Sequence, residues 1–177
     1  MRFSGLSAAL AVAQVVSLAL RAGPILPGSI TTDAPDEARS LAGLKRVRLE
    51  VLPLPQLLRD AGVRPSRLGR ILVGPLADSG VEVANDPELP RVAVKIFAAT
   101  DAKQAAAVSI GVVVAVHQSV KVQRLDRQLR VPTASVTTVS LATRDTVRAV
   151  VEHELRAVAD ALQRIIRVTT HRESSNE

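Results

Sequence analysis

Residues 107–124 read AVSIGVVVAVHQSVKVQR, and every even position from Val108 to Val116 in this stretch is apolar. A side-chain period of two is typical of a β-strand that buries one side and exposes the other. The stretch therefore predicts a long, half-buried strand with Val112 and Val114 in the core. Its opposite side is expected to face solvent and carries Ser109, His117, Ser119 and Lys121.

Alternating patterns on either side of this strand predict the rest of a sheet. Further strands are expected at residues 47–52, 81–84, 91–98 and 131–142. Turn-forming residues separate the second of these strands from the third, so the two are expected to pair with each other across that turn. In the last strand the apolar positions change from even to odd, which predicts a β-bulge near Thr137 and Thr138.

Two longer segments have helical periodicity. Residues 65–80 begin with a proline, which suits a first helical turn, and end with a glycine, which suits a helix C-terminus. Inside this segment Gly74 and Pro75 are expected to kink or split the helix. Residues 145–168 carry one apolar stripe, with oppositely charged residues four positions apart around Glu152 that are expected on the solvent side.

The element order β-α-β-β-β-β-α predicts an α+β fold, a two-layer sandwich in which two helices cover one face of a mostly antiparallel sheet. Lys95 is expected on the uncovered face, and residues 56–61 are expected to form a single helical turn. Residues 44–168 are predicted to be one domain. Residues 23–43 lack periodicity and contain prolines and glycines, which indicates a linker, and the polar residues 169–177 are expected to be a flexible tail.

The first 22 residues are expected to direct the chain out of the cytoplasm. Arg2 is followed by an apolar run over residues 6–20. This is the pattern of a secretory signal peptide, and the run is shorter than the roughly 20 residues of a membrane-spanning helix. Export to the periplasm or the medium is predicted, with an uncleaved N-terminal membrane anchor as the alternative.

Composition and spacing exclude several kinds of chemistry. The chain has no cysteine and only two aromatic residues, both phenylalanine. Thiolate zinc sites and thiol nucleophiles are therefore excluded, and binding by ring or base stacking is disfavoured. His153 and Glu154 begin the zinc motif H-E-x-x-H, but Ala157 stands where the second histidine is required. We expect no metal site, no cofactor, no catalytic residue that spacing alone reveals and, for an exported chain, no nucleic-acid partner.

The charge distribution indicates a candidate binding segment. Lys and Arg total 23 against 17 Asp and Glu, and residues 44–70 alone hold seven basic and two acidic residues. Arginines three residues apart share one side of a helix, and guanidinium groups suit phosphate and carboxylate ligands. An ordinary solvated helix face is the alternative interpretation. The candidate binding residues for an anionic surface or an acidic partner are Arg59, Arg64, Arg67 and Arg70.

Four stretches together resemble a small exported α+β domain of bacterial envelopes. They are VRLEVLPL at residues 47–54, LADSGVEV at 76–83, SIGVVVAVHQSVKVQ at 109–123 and DTVRAVVEHELRAVADAL at 145–162. In the order of their elements and in their general residue pattern, they resemble the N-terminal domain of the Tol-system propeller protein and the auxiliary lipoproteins of envelope ABC transporters. The resemblance implies docking rather than catalysis, although this chain lacks a lipobox cysteine.

These observations lead to a functional hypothesis with one competing class. The chain is expected to be a non-enzymatic accessory or binding protein of the envelope that recognises a protein or an anionic surface. The sequence also allows a homo-oligomer joined through a sheet edge. The competing class is a hydrolase-type enzyme whose active site is assembled wholly by tertiary contacts, and a deep cavity with convergent polar groups would favour it.

Overall fold

The computed structural model describes residues 36–101 and 104–174. The predicted export segment and most of the predicted linker therefore lie outside the described residues. The helices are α1 Asp36–Arg39, α2 Gln56–Asp60, α3 Pro65–Asp78 and α4 Val147–Ser174. The strands are β1 Arg46–Val51, β2 Glu82–Val83, β3 Arg91–Asp101, β4 Gln104–Val122 and β5 Arg127–Thr143, with the 3₁₀ helix Gln123–Leu125 between the last two.

The five strands form one sheet in the order β2-β1-β3-β4-β5. β1 is parallel to both of its neighbours, whereas β3, β4 and β5 pair in antiparallel fashion over much longer stretches. Helices α3 and α4 pack against each other and against one face of the sheet. The predicted α+β two-layer architecture is confirmed, and the predicted helical turn is α2. We call the face without helices the open face.

The core is built from aliphatic side chains of β4 and of the two long helices. All even-numbered residues of β4 from Val108 to Val116 are buried, which confirms the predicted register and the core positions of Val112 and Val114. α3 contributes leucines four residues apart, in keeping with its amphipathic pattern. The helix residues buried against the sheet include Leu68, Leu72, Leu76, Val151, Leu155, Leu162 and Ile166.

The expected pairing of the second and third strands is wrong. β1 lies between β2 and β3 and is parallel to both. The connection between the two strands crosses the end of β1, where the Arg48 N–H donates to the Pro90 carbonyl and the Ala84 N–H donates to the Val47 carbonyl. Turn-forming residues therefore mark the end of a strand here without forming a hairpin.

The bulge in β5 lies elsewhere than predicted. Pairing is continuous through Thr137 and Thr138, and the register shifts instead where Val116 pairs with Ala134 and His117 pairs with Pro132. A proline has no N–H for the ladder, and such residues are tolerated on edge strands and at bulges. The bulge changes which residues of β5 face the helices, so that the even-numbered residues from Ala134 to Ala142, Thr138 among them, lie on the helix-covered face.

Each long helix departs from its predicted bounds or shape for a local reason. α3 is one continuous helix through Gly74 and Pro75. It ends at Asp78, and the predicted stop residue Gly80 follows with a φ of 78° and donates its N–H to the Ala77 carbonyl. α4 begins at Val147 and continues to Ser174. Its last turns extend into the predicted tail, where Thr169 is buried.

At the other end of the domain, α1 and the following turn lie within the predicted linker. Leu41 is fully buried in the core, and the Gln118 side-chain amide donates to the Ser40 carbonyl at 2.7 Å. These contacts hold α1 and the turn that follows it beside β4 and β5. Along the described ranges, no helix is both long and apolar enough to cross a bilayer.

The register of β4 makes one prediction about stability. Val114→Asp places an unpaired carboxylate on the helix-covered face, and we expect it to lower the free energy of unfolding by about 4 kcal/mol or more. Ser109→Asp is the matched control, because Ser109 is an exposed residue of the same strand on the opposite face. Chemical denaturation of both variants tests this, and equal losses would contradict the register.

Candidate recognition surface

The four candidate arginines belong to α2, α3 and the turn between them. Arg59 lies in α2, Arg64 precedes α3, and Arg67 and Arg70 lie in its first two turns. All four are exposed residues. The structure therefore places them along one short segment, but their side chains have different environments.

Arg67 is engaged in an ion pair that joins the two long helices. Its Nε lies 2.6 Å from Glu152 Oε1, and its Nη2 donates to Glu152 Oε2 at 2.9 Å. Arg156 adds a longer contact of 3.5 Å to the same carboxylate. The expected solvent-side position of Glu152 is wrong, because the residue is only 6% exposed. A bidentate pair with a buried carboxylate positions α3 against α4, which is a structural role for Arg67.

The other three arginines differ from Arg67. The Arg59 guanidinium donates to the Gln56 side-chain carbonyl one turn earlier in α2. Within the described part of the chain, neither an ion pair nor a hydrogen bond involves the guanidinium of Arg64 or Arg70. Arg64 and Arg70 are therefore the members of the predicted set whose charge is available to an external anion.

A second cluster of charged residues lies on the open face, and the sequence did not single it out as a site. Arg48, Arg91 and His117 face one another on β1, β3 and β4. One oxygen of Glu50 accepts from both arginines, at 3.0 Å from Arg48 and 3.1 Å from Arg91. Burial raises the pKa of Glu50, but the hydrogen bonds from Arg91 and Arg48 outweigh it and hold the pKa below its usual value. This cluster carries net positive charge.

His117 is held in its neutral form by the same cluster. Burial lowers the pKa of His117 below its usual value of 6.5, and the positive charge of Arg91 lowers it further. Arg130, which follows on β5, acts in the same direction, whereas the Glu50 carboxylate acts against it. At neutral pH the imidazole therefore adds hydrogen-bonding groups to this end of the face without adding charge.

The other end of the open face is apolar. Phe97 is 48% exposed, Val139 is 54% exposed and Leu141 is 70% exposed. Phe97, Gly111 and Val139 lie directly opposite one another on β3, β4 and β5, and Leu141 lies in the next row. We call the three apolar side chains the open-face patch.

The patch is bounded toward the charged end by Lys95. Its ammonium nitrogen lies 4.6 Å from the centroid of the Phe97 ring, within cation–π range. The ring rests on Gly111, where an added Cβ would come within 3.6 Å of it. The change from even to odd apolar positions in β5 is the sequence signal for this patch; because pairing is continuous through Thr137 and Thr138, without the bulge predicted there, Val139 and Leu141 lie on the open face.

The cavities give little support to the hypothesis that the chain is an enzyme. A cavity of about 430 Å³ between α2 and the start of α4 is lined by Leu57, Asp60, Ala61, Arg144 and Val147. The Asp60 carboxylate accepts a hydrogen bond of 2.6 Å from Gln56. No nucleophile and general base stand together among these lining residues. Over residues 36–101 and 104–174, no group of three or more His, Cys, Asp or Glu side chains is arranged to hold a metal ion.

Comparison with known proteins gives only distant structural likenesses. No family model and no curated protein matches this chain. A minor lipoprotein from Acinetobacter baumannii is 19% identical, with a TM-score of 0.34, over 76% of this chain and 94% of its own. A PelC dodecamer from Paraburkholderia phytofirmans is 15% identical, with a TM-score of 0.37, over 75% of this chain and 93% of its own. At such TM-scores the likeness carries no inference about function.

The ion pair between α3 and α4 leads us to predict different effects on stability for substitutions of Arg67 and of Arg70. Arg67→Met leaves the buried Glu152 carboxylate with only its longer contact to Arg156, and we expect a loss of about 1–3 kcal/mol in the free energy of unfolding. Arg70→Met removes the same charge from an exposed side chain and should change stability by less than about 0.5 kcal/mol. Urea denaturation measures both, and equal effects would argue against the structural role of Arg67.

Proposed function

We propose that this chain is an exported, non-enzymatic accessory or binding protein of the bacterial envelope, and that it recognises a protein partner with the open face of its sheet. The observation that carries the proposal is the open-face patch, in which three large apolar side chains are about half exposed or more. Contiguous apolar surface on a folded chain commonly marks an interaction site. Export is supported by the composition of the first 22 residues.

The charge on the same face indicates the chemistry of the partner. Arg48, Arg91, Lys95 and Arg130 lie on the strands of this face, whereas Glu50 is the acidic residue that the arginines surround. The positive cluster and the patch lie about 20 Å apart, because six residues of strand separate Arg91 from Phe97. A complementary partner therefore presents apolar side chains at one end of its contact and carboxylates at the other.

Site-specific photo-crosslinking tests this proposal in cells that produce the chain. A benzoylphenylalanine replacing Leu141 should form a covalent adduct with another protein, and the crosslinked peptide should combine apolar and acidic residues. The matched control carries the same group at Val73, an apolar α3 residue that is 42% exposed. Lys95→Glu should weaken the Leu141 adduct. Equal adducts at both positions, no adduct at Leu141, or an adduct with lipid alone would overturn the proposal.

Recognition of an anionic surface through the α2–α3 segment is a second candidate. It is favoured by the exposed positions of Arg64 and Arg70, whose guanidinium groups have no partner among the described residues. Arg59 lies nearby on α2 and can contribute, whereas Arg67 is paired with Glu152. Exposed charges of this kind act over about 8 Å at physiological ionic strength, so binding that depends on them should weaken with salt.

Vesicle binding tests the second candidate. The double variant Arg64→Gln and Arg70→Gln should be retained less than the parent on vesicles that contain phosphatidylglycerol, and the difference should disappear at high salt. The control is Arg124→Gln with Arg127→Gln, which removes two exposed positive charges from the hairpin between β4 and β5. If both pairs reduce retention equally, only net charge matters. If neither does, the α2–α3 arginines form an ordinary solvated surface.

A further inference from the structure

The outer edge of β5 is open over its second half. β5 is the last strand of the sheet, and its one strand neighbour among the described residues is β4. The first half of the edge is interrupted by Pro132 and the bulge, and the Ser40 hydroxyl donates to the Thr133 carbonyl there at 3.3 Å. Residues 137–143 contain no charge and no proline. Charged residues, prolines and bulges are the usual means by which edge strands avoid pairing, and this segment has none of them.

The same segment presents its side chains in an unusual arrangement. Thr138 is 2% exposed, yet its hydroxyl has no hydrogen-bond partner, and neither has the buried hydroxyl of Ser140. Both residues lie on the helix-covered face, whereas Val139 and Leu141 lie exposed on the open face. A buried hydroxyl without a partner is destabilising, and such groups are rare in folded proteins. Both hydroxyls are shielded from solvent within a single chain, so a strand added to this edge would supply partners at cross-strand distance once their χ1 angles turn toward the edge.

We propose that β5 pairs in antiparallel fashion with β5 of a second copy of this chain, about a twofold axis at Val139. In this register Thr138 lies opposite Ser140 of the second copy, and by symmetry Ser140 lies opposite Thr138. Cβ atoms of directly opposed residues are about 4.5–5.5 Å apart, a spacing at which two hydroxyl groups form a hydrogen bond. With their χ1 angles turned toward the edge, Thr138 and Ser140 of the two copies satisfy each other's hydroxyls in two symmetry-related pairs.

The open face supports the same register. Val139 lies opposite Val139 of the second copy, and Leu141 lies opposite Thr137, so no charged residue faces another charge across the axis. The interface is isologous and closes at two subunits, because each copy has one such edge among its described residues. The two open-face patches then lie side by side on a single ten-stranded sheet. This inference goes beyond the proposed function, since it doubles the surface offered to a partner without requiring that one exists.

The natural absence of cysteine makes the register directly testable. The Val139→Cys variant should form a disulfide-linked dimer on oxidation, because its two thiols meet at the axis. The Leu141→Cys variant is the matched control on the same face, and its two thiols are about 14 Å apart in this register, since four residues of strand separate them. A mixture of Leu141→Cys and Thr137→Cys chains should crosslink where either variant alone does not.

Sedimentation equilibrium provides a measurement free of crosslinking. The parent chain should dimerise reversibly, and Val139→Lys should weaken the dimer by about tenfold or more, because like charges directly opposite one another are destabilising. Leu129→Lys, on the protected half of the same strand, should have little effect. A chain that is monomeric at all concentrations, or disulfides that form equally at positions 139 and 141, would overturn the inference. An adduct of Leu141 with another protein would leave the proposed function standing in either case.

Discussion

The two-sided pairing of β4 is the constraint on which the rest of this structure depends. β4 pairs with β3 on one side and with β5 on the other over most of its length. The even-numbered side chains from Val108 to Val116 are buried, so the face that the helices cover is fixed by the register of this one strand. Because β4 is paired on both sides, its register also sets which residues of β3 and β5 lie on each face of the sheet. The positions of Phe97 on β3 and of Val139 on β5 follow from it.

The arginines of the helices and of the charged end of the open face fall into three sets with different electrostatic environments. Arg67 is paired with the buried Glu152 and fixes α3 against α4. Arg48 and Arg91 share the carboxylate of Glu50 at the charged end of the open face. Arg64 and Arg70 remain exposed at the start of α3. The local excess of positive charge is thus partly used inside the fold, and what remains is spread over two surfaces.

The open face and the β5 edge owe their properties to one feature, the short segment of β5 from Thr138 to Leu141. Thr138 lies on the covered side and Val139 and Leu141 lie on the open side, which is opposite to the usual arrangement, although Val136 and Ala142 on either side of this segment are buried as usual. Consistency between local pattern and burial is the rule in folded chains, and departures from it concentrate where a chain makes further contacts. A partner bound to the open face would cover the exposed Val139 and Leu141. Pairing at the edge would supply partners to the hydroxyls of Thr138 and Ser140.

The sequence by itself determined the element order, the α+β class, the buried side of β4 and the stop of α3 before Gly80, because each rests on local periodicity or on a local backbone preference. The tertiary structure decided what depends on residues far apart in the chain. It placed β1 between β2 and β3, moved the bulge of β5 from Thr137 to the neighbourhood of Pro132, and buried Glu152 beside Arg67. A single strand pattern shows which residues share a face but not which partner or covering layer that face meets, and for this reason the open-face patch became visible only in the assembled sheet.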